Sequence, residues 1–441
     1  MAGILEKLAL HRRELRAWAM YDWAISAVQT TVMVAVFPIF YIQVAGAEVG
    51  GTVASQWWAI SNGISIAIVA VLSPILGAVA DFAAAKKKLL ALVTAIGALA
   101  CAGMFFIGPG DLTLASGLFI LSMIGAAAAL VFYDALLPHI ASPAEVDRVS
   151  SAAYAIGYLG GGLLLALNLA MIQKPAWFGL GGVEGTLPVR LAMVTVALWW
   201  FVFSIPLFRR VPEPPRRLEE DEHVGESAIR VAMGRLFETL RELRGYRNAF
   251  LMLVAFLIYN DGISTVQKMA TAYGTELGIG RGSLIAAILI VQFVGIPATF
   301  LFGSLAAWIG AKRAILVGLV VYFGVSVFAY TMQTAGDFYI LAGVVGLVQG
   351  GTQALSRSLF ATLIPRHKSG EFFGFYSVFS KFAGIFGPLL FAGMIAATGS
   401  SRNAILSVTI FFLLGGIILL FVNVDEGSRK ARAAEEATYE A

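Results

Sequence analysis

The sequence predicts an all-α membrane protein whose twelve transmembrane helices form two pseudo-symmetric six-helix bundles. Three observations predict this fold class: the composition, twelve apolar runs of membrane-spanning length, and matching patterns in the two halves of the chain. Of the 441 residues, 59% are hydrophobic and 13% are charged, whereas a soluble domain carries about 25% charged residues. Such a chain lacks the polar side chains to cover a soluble surface, so it belongs in a bilayer.

Twelve runs qualify as spans, because a helix needs about 20 apolar residues to cross the hydrocarbon core. Only a helix satisfies all backbone hydrogen bonds within one such run, so each run is predicted to be helical. The runs are residues 18–44, 56–80, 89–108, 113–137, 150–173, 189–208, 248–273, 283–309, 314–332, 337–363, 372–397 and 403–424.

The distribution of Lys and Arg predicts the orientation of these spans. With the N-terminus placed in the cytoplasm, the cytoplasmic segments hold 24 of these residues, the outer loops hold 4, and 3 lie within spans. Because Lys and Arg accumulate on cytoplasmic loops, both termini are predicted to be cytoplasmic. The net charge of +4 reflects this bias. We expect no nucleic-acid partner, since that would require a basic face on a soluble domain.

The residues that build metal, disulfide and nucleotide sites are scarce. One Cys, Cys101, excludes an internal disulfide and a Cys-ligated metal, and the four His residues fall in or beside loops at no ligand spacing. No nucleotide-binding motif occurs. We therefore expect neither metal nor cofactor and no catalytic residues. We also expect no cleavable signal peptide, because residues 1–16 are charged and the first apolar run is too long.

A single long loop divides the chain. We predict an N-terminal bundle at residues 1–208, a cytoplasmic linker at 209–247, a C-terminal bundle at 248–424 and a solvated cytoplasmic tail at 425–441. The linker begins Pro-rich and charged. Its second part spaces apolar residues as an amphipathic helix does, and such a helix would lie at the inner membrane interface. Its expected role is that of a strap between the bundles.

The two halves repeat each other. "YDWAISAVQ" at 21–29 and "YNDGISTVQ" at 259–267 share five residues and occupy the first helix of each half. After the second helix of each half, Gly77 and Gly303 precede a short basic loop. These matches occur in the same order, which predicts two parallel six-helix repeats.

The loop after the second span resembles the Gly-xxx-Asp-Arg-xxx-basic-basic signature of the major facilitator transporters. Gly77 and Asp81 match this signature and Lys86 follows, although Phe82 replaces its Arg and Ala85 its second Gly. In that family, two parallel repeats rock about a site at the membrane midplane. The resemblance implies that Gly77, Asp81 and Lys86 latch the inner side closed, since Asp can cap a neighbouring helix N-terminus.

A narrower resemblance covers nearly the whole chain. "WAMYDWAISAVQTTVMVAVFPIFY" at 18–41, "YNDGISTV" at 259–266 and "RVSSAAYAIGYLGGGL" at 148–163 resemble the vacuole effluxer, or autophagy-related-22-like, branch of the major facilitators. One departure is Ile25, where that branch usually has Asn. The resemblance implies a carrier of an amino acid or a related small polar solute. The length and short loops are typical of a bacterial member in the inner (plasma) membrane.

Polar residues line single faces of three predicted helices. An ionisable side chain within a span costs several kcal/mol unless it is paired or hydrated, so each is a functional candidate. The first, fourth, seventh and tenth helices line the cavity in the fold class implied by the resemblance. The stripes are Asp22, Ser26 and Gln29 on the first helix; Asn260, Ser264 and Gln267 beside Asp261, Thr265 and Lys268 on the seventh; and Gln349, Gln353 and Arg357 on the tenth.

Roles follow from charge. Arg357 and Lys381, the latter on the eleventh helix, are predicted to hold an anionic group of the substrate. Asp261, with Asp22 as second choice, would bind its cationic group or a coupling proton. Asp134, near the inner end of the fourth helix, is a further gating candidate. The remaining predicted substrate-binding residues are Gln349, Gln353, Gln29, Ser26, Gln267 and Tyr259.

Each assignment has a structural alternative. Asp22 could pair with Arg16 or cap a helix, Lys268 could extend outward from its helix end, and Asp134 could pair with Arg357 or Arg148. Polar stripes can also serve helix packing alone.

Three classes of function compete. A secondary carrier, working as a monomer in contact with lipid, fits best. Its coupling (proton symport, proton antiport or uniport) and its direction of transport stay open, and its solute could be something other than an amino acid. A receptor or scaffold would need a large soluble domain or a long structured loop, and an intramembrane enzyme would need a nucleophile with a base, or a metal cluster. The sequence predicts none of these features.

Overall fold

The computed structural model describes residues 6, 8–181, 185–215 and 245–440. The predicted amphipathic helix of the linker falls at residues 228–247, almost entirely outside the described residues. The strap role of the linker therefore stays a prediction.

The N-terminal bundle contains six spans, the first of them bent by 40°. The bend follows a π-helical stretch, Val28–Ala35, and precedes Pro38 in the first turn of the next segment, two features that commonly kink helices. The spans are α1a (Arg13–Ala35) with α1b (Phe37–Ala45), α2 (Gly51–Phe82), α3 (Lys86–Gly103), α4 (Leu112–Ile140), α5 (Val146–Gln173) and α6 (Leu187–Arg210).

The C-terminal bundle repeats this plan and ends in an additional helix. Its helices are α7 (Arg247–Glu276), α8 (Arg281–Ile309), α9 (Ala311–Thr331), α10 (Ala335–Thr362), α11a (Ser369–Phe382) with α11b (Phe386–Thr398), α12a (Ser401–Ser407) with α12b (Thr409–Leu420), and α13 (Val424–Glu440).

Hydropathy and length support the predicted number of spans. Within the described residues, eleven helices are long and apolar enough to cross a membrane, and the bent pair α1a and α1b would make a twelfth. Together with the structural likenesses given below, this confirms the predicted all-α membrane fold. We call the end of the molecule where α1a begins and α12b ends the termini end.

The bundles meet at the termini end. Along α11a, residues Ser369–Ser377 are all buried, whereas α11b exposes most of its side chains. Burial changes along α2 in the same way: the helix is exposed near Gly51 and buried near Phe82, at the termini end. Among the described residues, the hydrogen bonds between the bundles reach from the termini end only as far as Tyr158 and Gln349.

The tail has a structure that the sequence analysis did not predict. Residues Val424–Glu440 form a helix, α13, although most of its described side chains are exposed. Glu435 accepts a hydrogen bond from the backbone N–H of Arg366 at 2.8 Å, and Lys430 donates to the carbonyl of Gly245 at 2.6 Å. Ala431 is buried. The mixed charges of this segment therefore serve contacts with the C-terminal bundle, which could not be read from composition.

Candidate functional site

A buried guanidinium joins the two bundles. Arg357 on α10 is 2% exposed, and all five of its N–H groups have acceptors. Nη1 donates to Asp22 Oδ2 and to Asp134 Oδ1, both at 3.2 Å. Nη2 donates to Asp22 Oδ2 at 3.2 Å and to the carbonyl of Ser150 at 3.1 Å, and Nε donates to Ser150 Oγ at 2.9 Å. Every acceptor belongs to the N-terminal bundle, so a single C-terminal side chain binds three N-terminal helices.

Aromatic rings enclose this guanidinium. Its central carbon lies 4.8 Å from the ring centre of Trp18, 5.6 Å from that of Tyr133 and 4.4 Å from that of Tyr154. Trp18 and Tyr133 stack on each other. Such rings attract a cation and exclude water around it. We call Arg357, Asp22, Asp134 and Ser150 the interbundle ion cluster.

The two carboxylates of the cluster are held unequally. Asp22 Oδ2 accepts hydrogen bonds from both terminal nitrogens of Arg357 and from the hydroxyl of Tyr133, at 2.9 Å. Asp134 accepts from Arg357 Nη1 alone among the contacts of the described residues. Of the two partners that the sequence allowed for Asp134, the structure brings it to Arg357 and not to Arg148. Asp22 pairs with Arg357 as well, a partner that the sequence analysis did not offer in place of Arg16.

A second interbundle contact surrounds the predicted latch residues. Gly77 on α2 lies directly against Gly370 at the start of α11a. Asp81 is paired with Lys86 and accepts a hydrogen bond at 2.9 Å from the backbone N–H of Glu371, one of the first-turn donors that a helix cannot satisfy internally. Asp81 thus caps a helix of the other bundle.

Further hydrogen bonds join the bundles around these two centres. Ser150 donates to the carbonyl of Ala354 at 2.7 Å, and Ser358 donates to Asp147 at 2.5 Å. Ser369 donates to the carbonyl of Ala135 at 3.0 Å. The result is a polar and buried closure of the termini end.

Beyond this closure, four polar side chains in the spans are fully or partly exposed. Gln29 lies two turns beyond Asp22 and is exposed, as are Gln267 and Lys268. Lys381 on α11a is partly exposed and lies close enough to Lys268 for their charges to repel. Because charged and amide groups are strongly disfavoured in lipid, we infer that these side chains face the space between the bundles.

Asp261 lies where α11 is interrupted. Its Oδ1 accepts hydrogen bonds from the backbone N–H groups of Gly384 at 2.8 Å and Gly387 at 2.9 Å, and its Oδ2 accepts from Phe386 at 3.0 Å. Gly384 has a φ of +103°, which favours glycine. Lys268 donates to the carbonyl of Gly384 at 3.2 Å. The carboxylate thereby satisfies the donors that the broken helix leaves free.

The other predicted binding residues divide into two groups. Gln349 donates to the hydroxyl of Tyr158 in the opposite bundle at 3.1 Å, which places it between the bundles. Gln353 and Ser26 are partly buried. Tyr259 differs: it is fully buried and hydrogen bonded to Ser356. The structure does not bring Tyr259 to the exposed polar group, because its ring packs within the C-terminal bundle.

Two residues were missed or undervalued in the sequence. Ser150 supplies two acceptors to Arg357. Its signal was its place in the segment 148–163 that resembles the vacuole effluxer branch, but that resemblance does not indicate a partner for the serine. Lys268 lies beside Asp261 and Lys381, and its signal was the i, i+7 spacing from Asp261, which places both on one face.

Comparisons with known proteins agree with this architecture. Residues 49–432 match the family model described as "Vacuole effluxer Atg22 like". The chain is 38% identical over 418 residues to "Uncharacterized MFS-type transporter YxiO" of Bacillus subtilis (strain 168), covering 93% of this chain and 95% of that protein. It is 27% identical over 303 residues to "Autophagy-related protein 22-1" of Aspergillus niger, covering 64% of this chain and 48% of that protein.

The solved structures agree on the fold. The human organic anion transporter MFSD10 (TETRAN) superposes with a TM-score of 0.69 at 12% identity, covering 92% of this chain and 99% of that one. At this identity the likeness concerns the fold alone.

Proposed function

This chain belongs to the vacuole effluxer Atg22-like family of major facilitator transporters, and we propose that it moves a small polar solute by alternating access. The observation that carries the proposal is Arg357, whose five N–H groups all bind the opposite bundle. A contact of this kind must break completely when the bundles part. It therefore distinguishes a state closed at the termini end from a state open there.

The energetics of such a contact suit a gate that opens and closes reversibly. We call the interbundle ion cluster the gate. Removing charges from water offsets most of the attraction between them, so a buried ion pair adds little net stability. Its geometry is nevertheless strict, because each donor needs its own acceptor. The interbundle ion cluster can thus define the closed state without making that state permanent. With both termini in the cytoplasm, as the Lys and Arg distribution predicts, this state is closed toward the cytoplasm.

The solute we propose carries an anionic group, and an amino acid meets this description. Lys381 and Lys268 place two ammonium groups in the exposed region beyond the gate, and Gln29 and Gln267 add amide donors and acceptors. A solute carboxylate would bind the lysines. Arg357, which the sequence also assigned to the solute, is occupied by Asp22 and Asp134 in this state, so its part would begin when the gate opens.

Coupling to protons completes the proposal. The sequence nominates Asp261 and Asp22 for this role, and the structure adds Asp134, the second carboxylate of the interbundle ion cluster. A buried carboxylate whose surroundings change during transport can bind a proton in one state and release it in another. A monomer suffices, since the two bundles of one chain contain all of these residues.

Counterflow tests the proposal. Purified protein in liposomes preloaded with one unlabelled amino acid should accumulate the same labelled amino acid, screened across the natural set and across small organic acids. Arg313→Ala, an exposed change at the termini end, is the matched control for Arg357→Ala. Exchange by the wild type and control, with loss in Arg357→Ala, supports the proposal. A wild type that exchanges organic acids only removes the amino-acid assignment, and one that exchanges none of these solutes removes the proposed substrate class.

A further inference from the structure

Five carboxylates are buried within the spans that the structure describes. Two of them, Asp81 and Glu371, lie at the contact between α2 and α11a, and the other three differ in what holds them. Asp22, Asp134 and Asp261 are respectively 7%, 9% and 1% exposed. A residue that carries a proton through a transport cycle must be able to exist in both protonation states. Hydrogen bonds to an ionised carboxylate favour that form, so the carboxylate with the fewest donors is the best candidate for the proton carrier.

Asp261 is poorly suited to protonation. Three backbone N–H groups of the α11 interruption point at its two oxygens, and hydrogen bonds to the ionised form favour that form. The donors are fixed in the main chain and cannot turn away. Protonation would leave part of the interruption without acceptors inside the membrane.

Asp22 is held almost as firmly. One of its oxygens accepts from two nitrogens of Arg357 and from Tyr133. Tyr133 is fully buried and stacked between Trp18 and Tyr21, so its hydroxyl is fixed in direction. The hydroxyl stays with Asp22 whether or not Arg357 is present, because both residues belong to the N-terminal bundle.

Asp134 has one donor, Arg357 Nη1, at 3.2 Å. The cluster contains one positive group and two carboxylates, so when both are ionised it holds one negative charge in excess. Arg357 lies between them and Asp22 takes two of its nitrogens. The charged and titratable groups that face Asp134 are Arg357 on α10, Asp22 on α1a, Tyr154 on α5, Tyr376 on α11a and Tyr133 on α4 itself.

We propose that Asp134 is the residue that binds and releases the coupling proton, and that its protonation loosens the gate. This inference rests on the proposed transport function. A hydronium ion in the space between the bundles gives its proton to the Asp134 carboxylate, leaving water and a neutral acid. The hydrogen bond from Arg357 Nη1 then loses its ionic component, and the cluster becomes electrically neutral with one Arg and one carboxylate. The interbundle contact is weakened on the α4 side, while Asp22 keeps Arg357 oriented.

The test compares three substitutions in the same liposome system. In Asp134→Asn, whatever transport remains should no longer respond to a pH gradient, because the site cannot titrate. In Asp134→Glu, which keeps a titratable group, the response should return. In Asp22→Asn, transport should slow while its dependence on pH is kept. Proton movement is followed with a pH-sensitive dye inside the liposomes, and solute movement with a labelled solute found by counterflow.

The outcomes separate this inference from the proposed function. If the wild type exchanges solute and Asp134→Asn still accumulates it along a pH gradient, the role of Asp134 is refuted and the transporter assignment stands. If the wild type exchanges solute without any response to pH, no residue carries a coupling proton. If the wild type exchanges nothing, the proposed function itself fails.

A second measurement does not depend on the stability of the variants. Spin labels at Ser142 and Arg313, both exposed at the termini end of opposite bundles, report the gate distance in a Cys101→Ala background. Acidification should lengthen this distance in the wild type and leave it unchanged in Asp134→Asn. A distance that responds equally to acid in both proteins would overturn the inference, since another group would then be the sensor.

Discussion

Gly77 of α2 and Gly370 of α11a touch through their backbones, so that a Cβ on either residue would overlap the carbonyl oxygen of the other. The contact lies between the two bundles and exists only while the termini end is closed. Glycine is required at both positions because of this approach, not because of an unusual backbone angle.

Gly77→Ala is therefore expected to disfavour the closed state by about 1–3 kcal/mol, the usual effect of overpacking a close contact. The control is Gly63→Ala on the same helix, where an added Cβ meets nothing within 4 Å. Distance distributions between spin labels at Ser142 and Arg313 should lengthen for Gly77→Ala and match the wild type for the control. Equal distributions for all three proteins would show that α2 and α11a can part without opening the gate.

Arg357→Ala should destabilise the closed protein strongly. Removing one partner of a buried ion pair costs about 3–5 kcal/mol, and here two carboxylates would lose their cation together. Thermal unfolding in detergent should show a large fall in Tm, with Arg313→Ala as the exposed control. Adding Asp134→Asn to Arg357→Ala should raise the Tm part of the way back to that of the wild type, because one uncompensated charge is removed. A Tm equal to that of the wild type would mean that water already hydrates the cluster.

Asp261→Asn should destabilise the backbone conformation where α11 is interrupted. The amide keeps one acceptor but presents an N–H₂ group to backbone donors, a loss of about 1.5–3 kcal/mol for hydrogen bonds to a charged group. Hydrogen exchange at Gly384, Phe386 and Gly387 should accelerate, while Gln267→Ala, an exposed change on the same helix, should leave it unaltered. Unchanged exchange at these amides in Asp261→Asn would show that they are protected without the carboxylate.

Lys381→Ala should weaken binding of an anionic solute. A charge-assisted hydrogen bond contributes about 1.5–3 kcal/mol, which corresponds to about a ten- to hundred-fold rise in Kd. Isothermal titration with a solute identified by counterflow measures this change. Lys88→Ala, an exposed change at the termini end, serves as the control. Normal binding by Lys381→Ala would assign that lysine to packing or gating.

Topology can be tested with single cysteines. In a Cys101→Ala background, a cysteine placed after Asp111 should react with an impermeant reagent added outside intact cells, and one at Ser227 should react only after the cells are opened. The physical reason is the excess of Lys and Arg on the segments assigned to the cytoplasm. The reverse pattern would invert the orientation and, with it, the side toward which this state is closed.

The fold was predictable because hydropathy and the internal repeat depend on local sequence. The cluster was predictable only in part. Charges inside spans marked Asp22, Asp134 and Arg357 as unusual, but the sequence allowed Arg16 and Arg148 as partners, and the choice depends on how the bundles dock. The interruption of α11 could not be located, because its stability comes from Asp261 on another helix. Likewise, the ring of Tyr259 turns into its own bundle for packing reasons that no periodicity reveals.

The division of α11 has a mechanical consequence. Its two rods are anchored separately, α11a through Asp81 of the opposite bundle and α11b through Asp261 of its own. An unbroken helix would act as a lever, so that closing one end of the protein would force the other end apart. Rods joined at Ala383–Ile385 can tilt independently, and both ends can be shut at once. In the transport cycle that we propose, this joint would let the protein hold a solute cut off from both sides midway through the cycle.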